Sequence, residues 1–104
     1  MDAELKAKWV AALRSGEYKQ GQHVLRNSLD HFCCLGVLAD IHSPDKWSLD
    51  KSTDNYKHDG YWEAFPRTLE DAGIIASSAM NYLSEMNDSG RTFAEIADYI
   101  EANL

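Results

Sequence analysis

The hydrophobic pattern is clearest at the N-terminus, where apolar residues recur at the spacing of an amphipathic helix. Asp2 is a suitable N-cap for this helix, and Gly16 can adopt the left-handed conformation that ends it. We therefore expect a first helix between these two residues. Its buried stripe consists of Leu5, Trp9, Val10 and Leu13.

Two further helices are expected near the C-terminus, joined by a turn at residues 87–90. The first begins at Ser77 or Ser78, and the second begins with a Thr92–Glu95 capping box. Helix–turn–helix DNA readers begin in a similar way, but an acidic outer face would meet phosphates here, so direct nucleic-acid binding is not expected. The apolar stripes are Ala79, Met80, Leu83 and Met86 in one helix and Phe93, Ile96, Ala97, Ile100 and Leu104 in the other. The acidic residues of the last helix are Glu95, Asp98 and Glu101.

The middle of the chain combines a weak strand signal with one long apolar run. Gly, Gln and Val break the helical periodicity, so we expect a short strand at residues 22–26 and a turn at Asn27 and Ser28. Residues 31–41 are rich in Leu, Ala and Cys, which favours a buried helix capped by Asp30 over a buried strand. Gly36 would let another backbone approach this helix closely.

Residues 43–62 are mostly polar but contain several large aromatic residues. Asp59-Gly60 indicates a two-residue hairpin turn between residues 56–58 and 61–63. In a small domain, such a segment is either a binding element or a lid on the core, and the sequence leaves both open. Aromatic residues are frequent at binding hot spots. The candidate binding residues in this segment are Trp47, Tyr56, Tyr61 and Trp62.

These elements predict an α+β fold: a small, mainly helical single domain over residues 1–104 with a short antiparallel β element. The prediction includes five helices, two of them short or buried: the short one at residues 66–72 before Gly73 and the buried one at residues 31–41.

The charge distribution limits the possible partners. The formal net charge is −7, although residues 1–26 carry a net +2, so the rest of the chain carries −9. A duplex-binding surface needs clustered Lys and Arg, and this chain offers the reverse. No apolar stretch is long enough to span a membrane, and two adjacent cysteines fit a reducing compartment. We expect a cytoplasmic protein without membrane partners.

Patterns for catalysis and metal binding are weak. The histidines and cysteines lack the spacing of a zinc site, so neither a metal nor a cofactor is expected. Cys33 and Cys34 lie inside an apolar run, whereas a nucleophilic thiol must be exposed and electropositive. The carboxylates of residues 43–62 fit no particular mechanism. Enzymatic activity is uncertain, and the residues favour a protein without it.

Three motifs resemble those of a family of small phage and prophage proteins. The motifs typical of that family are W..ALRSG.Y.Q, YCCLGVLCD and LND.G.SF..IAD.IE. They match residues 9–20, 32–40 and 86–101, with Ala39 standing where the family often has a third cysteine. Because members of the family are mostly uncharacterised, the resemblance implies a phage setting and supplies no catalytic residues.

Two functions follow as expectations. The first is a phage accessory protein that binds and inhibits a host protein, such as a defence factor, inside the host cytoplasm. Its acidic surface would imitate nucleic acid, or its aromatic loop would make the contact. The second is a small-molecule or nucleotide-binding module, or an enzyme, that uses the aromatic loop at residues 43–62.

Overall fold

The computed structural model describes residues 1–60 and 74–104, which form four α-helices and a five-stranded sheet. The predicted α+β class is confirmed, and the sheet is larger than the small element expected. Within the described ranges, no helix is long and apolar enough to cross a membrane. In chain order the elements are α1 (Ala3–Ser15), β1 (Lys19–Gln20), β2 (Arg26–Asn27), β3 (His31–Phe32), α2 (Cys34–His42), a 3-10 helix (Pro44–Lys46), β4 (Trp47–Asp50), β5 (Asn55–His58), α3 (Ser77–Asp88) and α4 (Phe93–Asn103).

The sheet has the strand order β1-β3-β2-β5-β4. β1 is parallel to β3, and the other neighbouring pairs are antiparallel. Residues paired across strands share a face of the sheet, and alternate residues of a strand lie on opposite faces. One face is therefore aromatic and apolar, and the other is polar. The first face carries Phe32, Arg26, Tyr56 and Leu49 on successive strands.

α2 is the centre of the hydrophobic core. All of its residues from Cys34 to Ala39 are buried, and α1 and α3 pack against it. The indole N–H of Trp9 on α1 donates to the carbonyl oxygen of Cys34 at 2.9 Å. A Cβ at Gly36 would lie 1.9 Å from the carbonyl oxygen of Leu25. The expected close approach of another backbone to Gly36 is thus confirmed.

The terminal helices begin as predicted. The Asp2 carboxylate accepts from the backbone N–H of Leu5 at 2.8 Å, and Gly16 ends α1 with φ +78°. Thr92 and Glu95 form the predicted capping box of α4. The predicted stripes of all three helices are buried except at Leu5, Ala79, Met86 and Leu104, which are half-buried. α4 packs mainly against α1, so the two ends of the chain lie together.

The region before α2 differs from the prediction. β1 and β2 occupy residues 19–20 and 26–27, so the expected strand at residues 22–26 is misplaced. His31 and Phe32 form β3 instead of a first helical turn. Asp30 lies in the preceding turn with φ +59°, and Cys33 is the N-cap of α2. The backbone of residues 31–32 pairs with β1 and β2, and these long-range bonds replace the helical ones.

The structure contains a hairpin that the sequence did not predict. β4 and β5 form an antiparallel hairpin joined by residues 51–54. Asp59 and Gly60 both have positive φ, as a turn of the predicted type requires. The predicted second arm at residues 61–63 and the predicted helix at residues 66–72 lie outside the described residues.

Candidate functional site

The two thiols are buried parts of the core. Cys33 and Cys34 are 0% exposed. Burial raises the pKa of Cys33 to about 12 and also raises the pKa of Cys34. The Cys33 sulfur accepts from the backbone N–H of Gly36, and the Cys34 thiol donates to the carbonyl oxygen of Leu83. Thiols in this state are poor nucleophiles.

The part of the chain that the structure describes contains no group of three His, Cys, Asp or Glu side chains that could hold a metal ion. His58 is fully buried in the sheet, and its Nε2 lies 2.9 Å from the carbonyl oxygen of Ser43. His23 is exposed beside Asp88.

A buried asparagine joins the loop after α1 to the end of α3. Asn87 is 0% exposed, and its Oδ1 accepts from the side chain of Gln20 at 3.0 Å and from the backbone N–H of Cys34 at 3.1 Å. Its Nδ2 donates to the carbonyl oxygen of Gly21 at 2.8 Å. Both ends of the amide are therefore satisfied inside the protein, as a buried polar group requires. We call Asn87, Gln20, Gly21 and Cys34 the polar junction.

Gln20 extends the polar junction to α4. Its Nε2 donates to the carbonyl oxygen of Arg91 at 2.6 Å, and its Oε1 accepts from the backbone N–H of Phe93 at 3.1 Å. One glutamine thereby bonds the turn after α3 and the first residue of α4. Sequence analysis missed this role. The available signal was Asn87 itself, a polar residue on the same helical face as Met80 and Leu83.

The predicted aromatic residues Trp47 and Tyr56 pack around Arg26. The Cζ atom of Arg26 lies 4.0 Å from the ring centroid of Tyr56 and 5.4 Å from that of Trp47. The same guanidinium forms a 2.6 Å ion pair with Asp30. These cation–π contacts are characteristic of arginine. Tyr61 and Trp62, the other two predicted binding aromatics, lie outside the described residues.

Asp40 holds two aromatic side chains by hydrogen bonds. Its carboxylate accepts from the Trp47 indole at 2.9 Å and from the Tyr18 hydroxyl at 2.6 Å. Burial and this hydrogen bond raise the pKa of Tyr18. Trp47 is half-buried and contacts the core, and its ring meets that of His58 edge-on with the centroids 4.7 Å apart. Trp47 therefore contributes to packing.

The three predicted acidic residues of α4 are exposed, but each has a local cationic partner. Asp98 and Glu101 each form a 2.7 Å ion pair with Arg14 of α1. Glu95 accepts from the backbone N–H of Thr92 and lies 3.2 Å from Arg91, and these contacts lower the pKa of Glu95. Asp98 and Glu101 thus join α4 to α1.

An exposed pair of tyrosines lies across α3 and α4. The ring centroids of Tyr82 and Tyr99 are 4.8 Å apart at an interplanar angle of 35°. Tyr82 is 48% exposed and Tyr99 is half-buried. Glu85 lies one turn after Tyr82, and Glu95 one turn before Tyr99. We call these four residues the tyrosine face. Sequence analysis did not select either tyrosine, because each is a single residue just off an apolar stripe.

Two of the open grooves on the described surface differ sharply in polarity. A polar groove of about 450 Å³ lies beside the polar junction, and an apolar groove of about 500 Å³ runs along α1. The polar groove is lined by side chains that include Gln20, Gln22, Asn27, His31 and Arg91. The apolar groove is lined mainly by Ala3, Ala7, Val10 and Ala11.

Comparisons with known proteins place the chain in a family. Neither a curated protein nor a solved structure gives a significant match. A family model described as "Domain of unknown function (DUF8296)" matches residues 1–104, so the chain belongs to that family.

Proposed function

We propose that this protein is a phage accessory protein that binds and inhibits a host protein, and that the tyrosine face is its recognition surface. The phage setting rests on the resemblance of its three motifs to those of phage and prophage proteins. The observation that supports the binding surface is the exposed Tyr82–Tyr99 pair, which is flanked by carboxylates.

Tyrosine is suited to recognition because it buries a large area and loses few torsional degrees of freedom. The tyrosine face carries two carboxylates, Glu85 and Glu95, and the cation beside it is Arg91, which is paired with Glu95. The surface therefore fits a basic partner. A host protein that normally binds nucleic acid offers such a surface, and the carboxylates would take the place of phosphates.

The state of the two thiols supports binding over nucleophilic catalysis. Cys33 and Cys34 are buried and hydrogen-bonded within the core, so neither is available as a nucleophile.

The test begins with capture of host proteins on the immobilised protein and ends with binding of the purified partner. Tyr82→Ala should weaken binding roughly ten-fold or more, as expected for an interface hot spot. Glu85→Lys should weaken binding most at low salt, because it reverses a charge facing a basic partner. Both side chains are exposed, so the free energy of unfolding should change little.

Leu29→Ala is the matched control. Leu29 is 73% exposed on the turn between β2 and β3, outside the tyrosine face. This substitution should leave binding unchanged. Normal binding by both Tyr82→Ala and Glu85→Lys would contradict the proposal.

The polar groove favours a second candidate function, the binding of a small polar ligand. Amide, imidazole and guanidinium groups converge there, whereas the described aromatic rings of residues 43–62 pack around Arg26. A rise in melting temperature with a nucleotide or dicarboxylate that is abolished by Gln22→Ala would support this candidate. The same shift in both proteins would count against it.

A further inference from the structure

β4 is the edge strand of the described sheet, and the backbone groups on its outer side have no partner among residues 1–60 and 74–104. The backbone N–H of Asp59 donates to the carbonyl oxygen of Lys46 at 2.9 Å. This bond shows which of the alternating residue pairs of β4 and β5 are hydrogen-bonded. Antiparallel pairs alternate between bonded and non-bonded positions, so Ser48 and Asp50 bond to β5. The N–H and C=O groups of Trp47 and Leu49 therefore point outward. No other described residue pairs with this edge.

The sequence of this edge complements itself in the antiparallel direction. Around Ser48, residues 45–51 read Asp-Lys-Trp-Ser-Leu-Asp-Lys. If two copies meet with Ser48 opposite Ser48, Trp47 faces Leu49 of the second copy, an apolar pair. Lys46, whose carbonyl oxygen continues the β4–β5 ladder, faces Asp50 of the second copy. Each end of the paired segment thus brings opposite charges together.

From this geometry we propose that two copies associate through antiparallel pairing of β4 with β4, about a two-fold axis at Ser48. Trp47 and Leu49 would exchange about four main-chain hydrogen bonds with the second copy. Leu49 is 44% exposed in the single chain, and the pairing would place it beside Trp47 of the second copy. The two sheets would become one continuous sheet across the axis.

The pattern of outward-pointing backbone groups and the pattern of charges select the same register. The N–H and C=O groups that point outward belong to Trp47 and Leu49. They can bond across the axis only when one of these two residues lies opposite Trp47 or Leu49 of the second copy. Of the three registers that satisfy this, only the one centred on Ser48 places Lys46 opposite Asp50. A register centred on Trp47 would place Lys46 opposite Ser48 of the second copy, and a register centred on Leu49 would place Asp50 opposite Ser48.

Cross-linking tests the two-fold axis directly. Ser48→Cys places two thiols opposite each other at a non-bonded position, where side chains approach most closely. This variant should form a disulfide-linked dimer under mild oxidation. The control Ser52→Cys is also exposed, but its two thiols would lie roughly 25 Å apart in this register. The native thiols are 0% exposed and should not interfere.

Charge exchange tests the register. Lys46→Asp and Asp50→Lys each place like charges opposite one another in a dimer, so each should weaken self-association roughly ten-fold in sedimentation equilibrium. An equimolar mixture of the two variants restores opposite charges at both contacts. It should therefore associate as tightly as the wild-type protein. Complementation of this kind does not arise from a change in folding.

The interface is short, so the wild-type protein should be measured from about 10 µM to about 1 mM. A monomer over the whole range would overturn the proposal. So would a dimer that neither cross-links through Ser48→Cys nor responds to the mixture of charge variants. These residues differ from those of the tyrosine face, so either proposal can fail without the other.

Discussion

Replacing Gly36 by Ala should severely destabilise the protein, although Ala is the better helix former. The new Cβ would lie 1.9 Å from the Leu25 carbonyl oxygen and 2.8 Å from its carbon. Both atoms are backbone, and that oxygen accepts from the Cys33 N–H at 3.2 Å. The side chain of Leu25 is fully buried, so the segment can move only by disturbing the core.

The expected cost follows from three terms. Overpacking costs about 1–3 kcal/mol, and loss of the buried Cys33 hydrogen bond costs about 1–3 kcal/mol more. The higher helix propensity of Ala relative to Gly offsets about 1 kcal/mol of this cost. We therefore expect Gly36→Ala to lower the free energy of unfolding by about 3 kcal/mol, a large share of the total for a domain of this size. Urea denaturation followed by circular dichroism measures this quantity.

Gly16→Ala is the matched control. Gly16 has φ +78°, but nothing lies within 4 Å of a Cβ built there. The conformational strain should cost only about 1–2 kcal/mol. If Gly36→Ala were as stable as the wild-type protein, or more stable, the close approach of Leu25 to α2 would be wrong.

Four other predictions rest on the contacts of single side chains. Asn87→Ala should lower the free energy of unfolding by about 3 kcal/mol in urea denaturation, because it leaves buried backbone groups unpaired; a neutral result would contradict the polar junction. A thiol reagent should label neither Cys33 nor Cys34 in the native protein and both after denaturation, and rapid native labelling would restore a redox role. Trp47→Ala should cost about 2–4 kcal/mol, whereas an unchanged melting temperature would show that the ring is free for a partner. Because the pKa of Glu95 is lower in the folded protein, its stabilising contribution is present at neutral pH and lost as the pH falls below its ordinary value; Glu95→Gln should reduce this acid dependence of stability, and an unchanged dependence would contradict the assignment.

The ends of the chain could be predicted because their information is local. A capping residue, a helical stripe and a terminal glycine lie within a few residues of one another in α1 and α4. The strands before α2 contain only two residues each, too few to show a period. Their partners lie elsewhere in the chain, so the sequence of residues 31–32 could not distinguish β3 from a helical turn.

The internal contacts of the candidate site residues could not be predicted, for a related physical reason. Asp98 and Glu101 were selected as acidic residues of α4, and the position of their partner Arg14 depends on how α1 packs against α4. Tyr82 was not selected, because its exposure becomes evident only when the faces of α3 are placed against the core. Residue type identified the candidate side chains, and long-range packing determined which of them have internal partners.

The contacts also explain what the three phage-like motifs have in common. Residues of one motif bond to residues of another, so the motifs describe one connected framework. The contacts that show this are Trp9 with Cys34, Arg14 with Asp98 and Glu101, Tyr18 with Asp40, and Gln20 with Asn87. Glu95 and Tyr99 occupy positions that the third motif leaves open, and Tyr82 and Glu85 lie before it. Resemblance in the motifs therefore reports the fold, whereas we propose that the partner depends on the tyrosine face. A protein that keeps the framework but replaces Tyr82 and Tyr99 should fold in the same way and bind a different target.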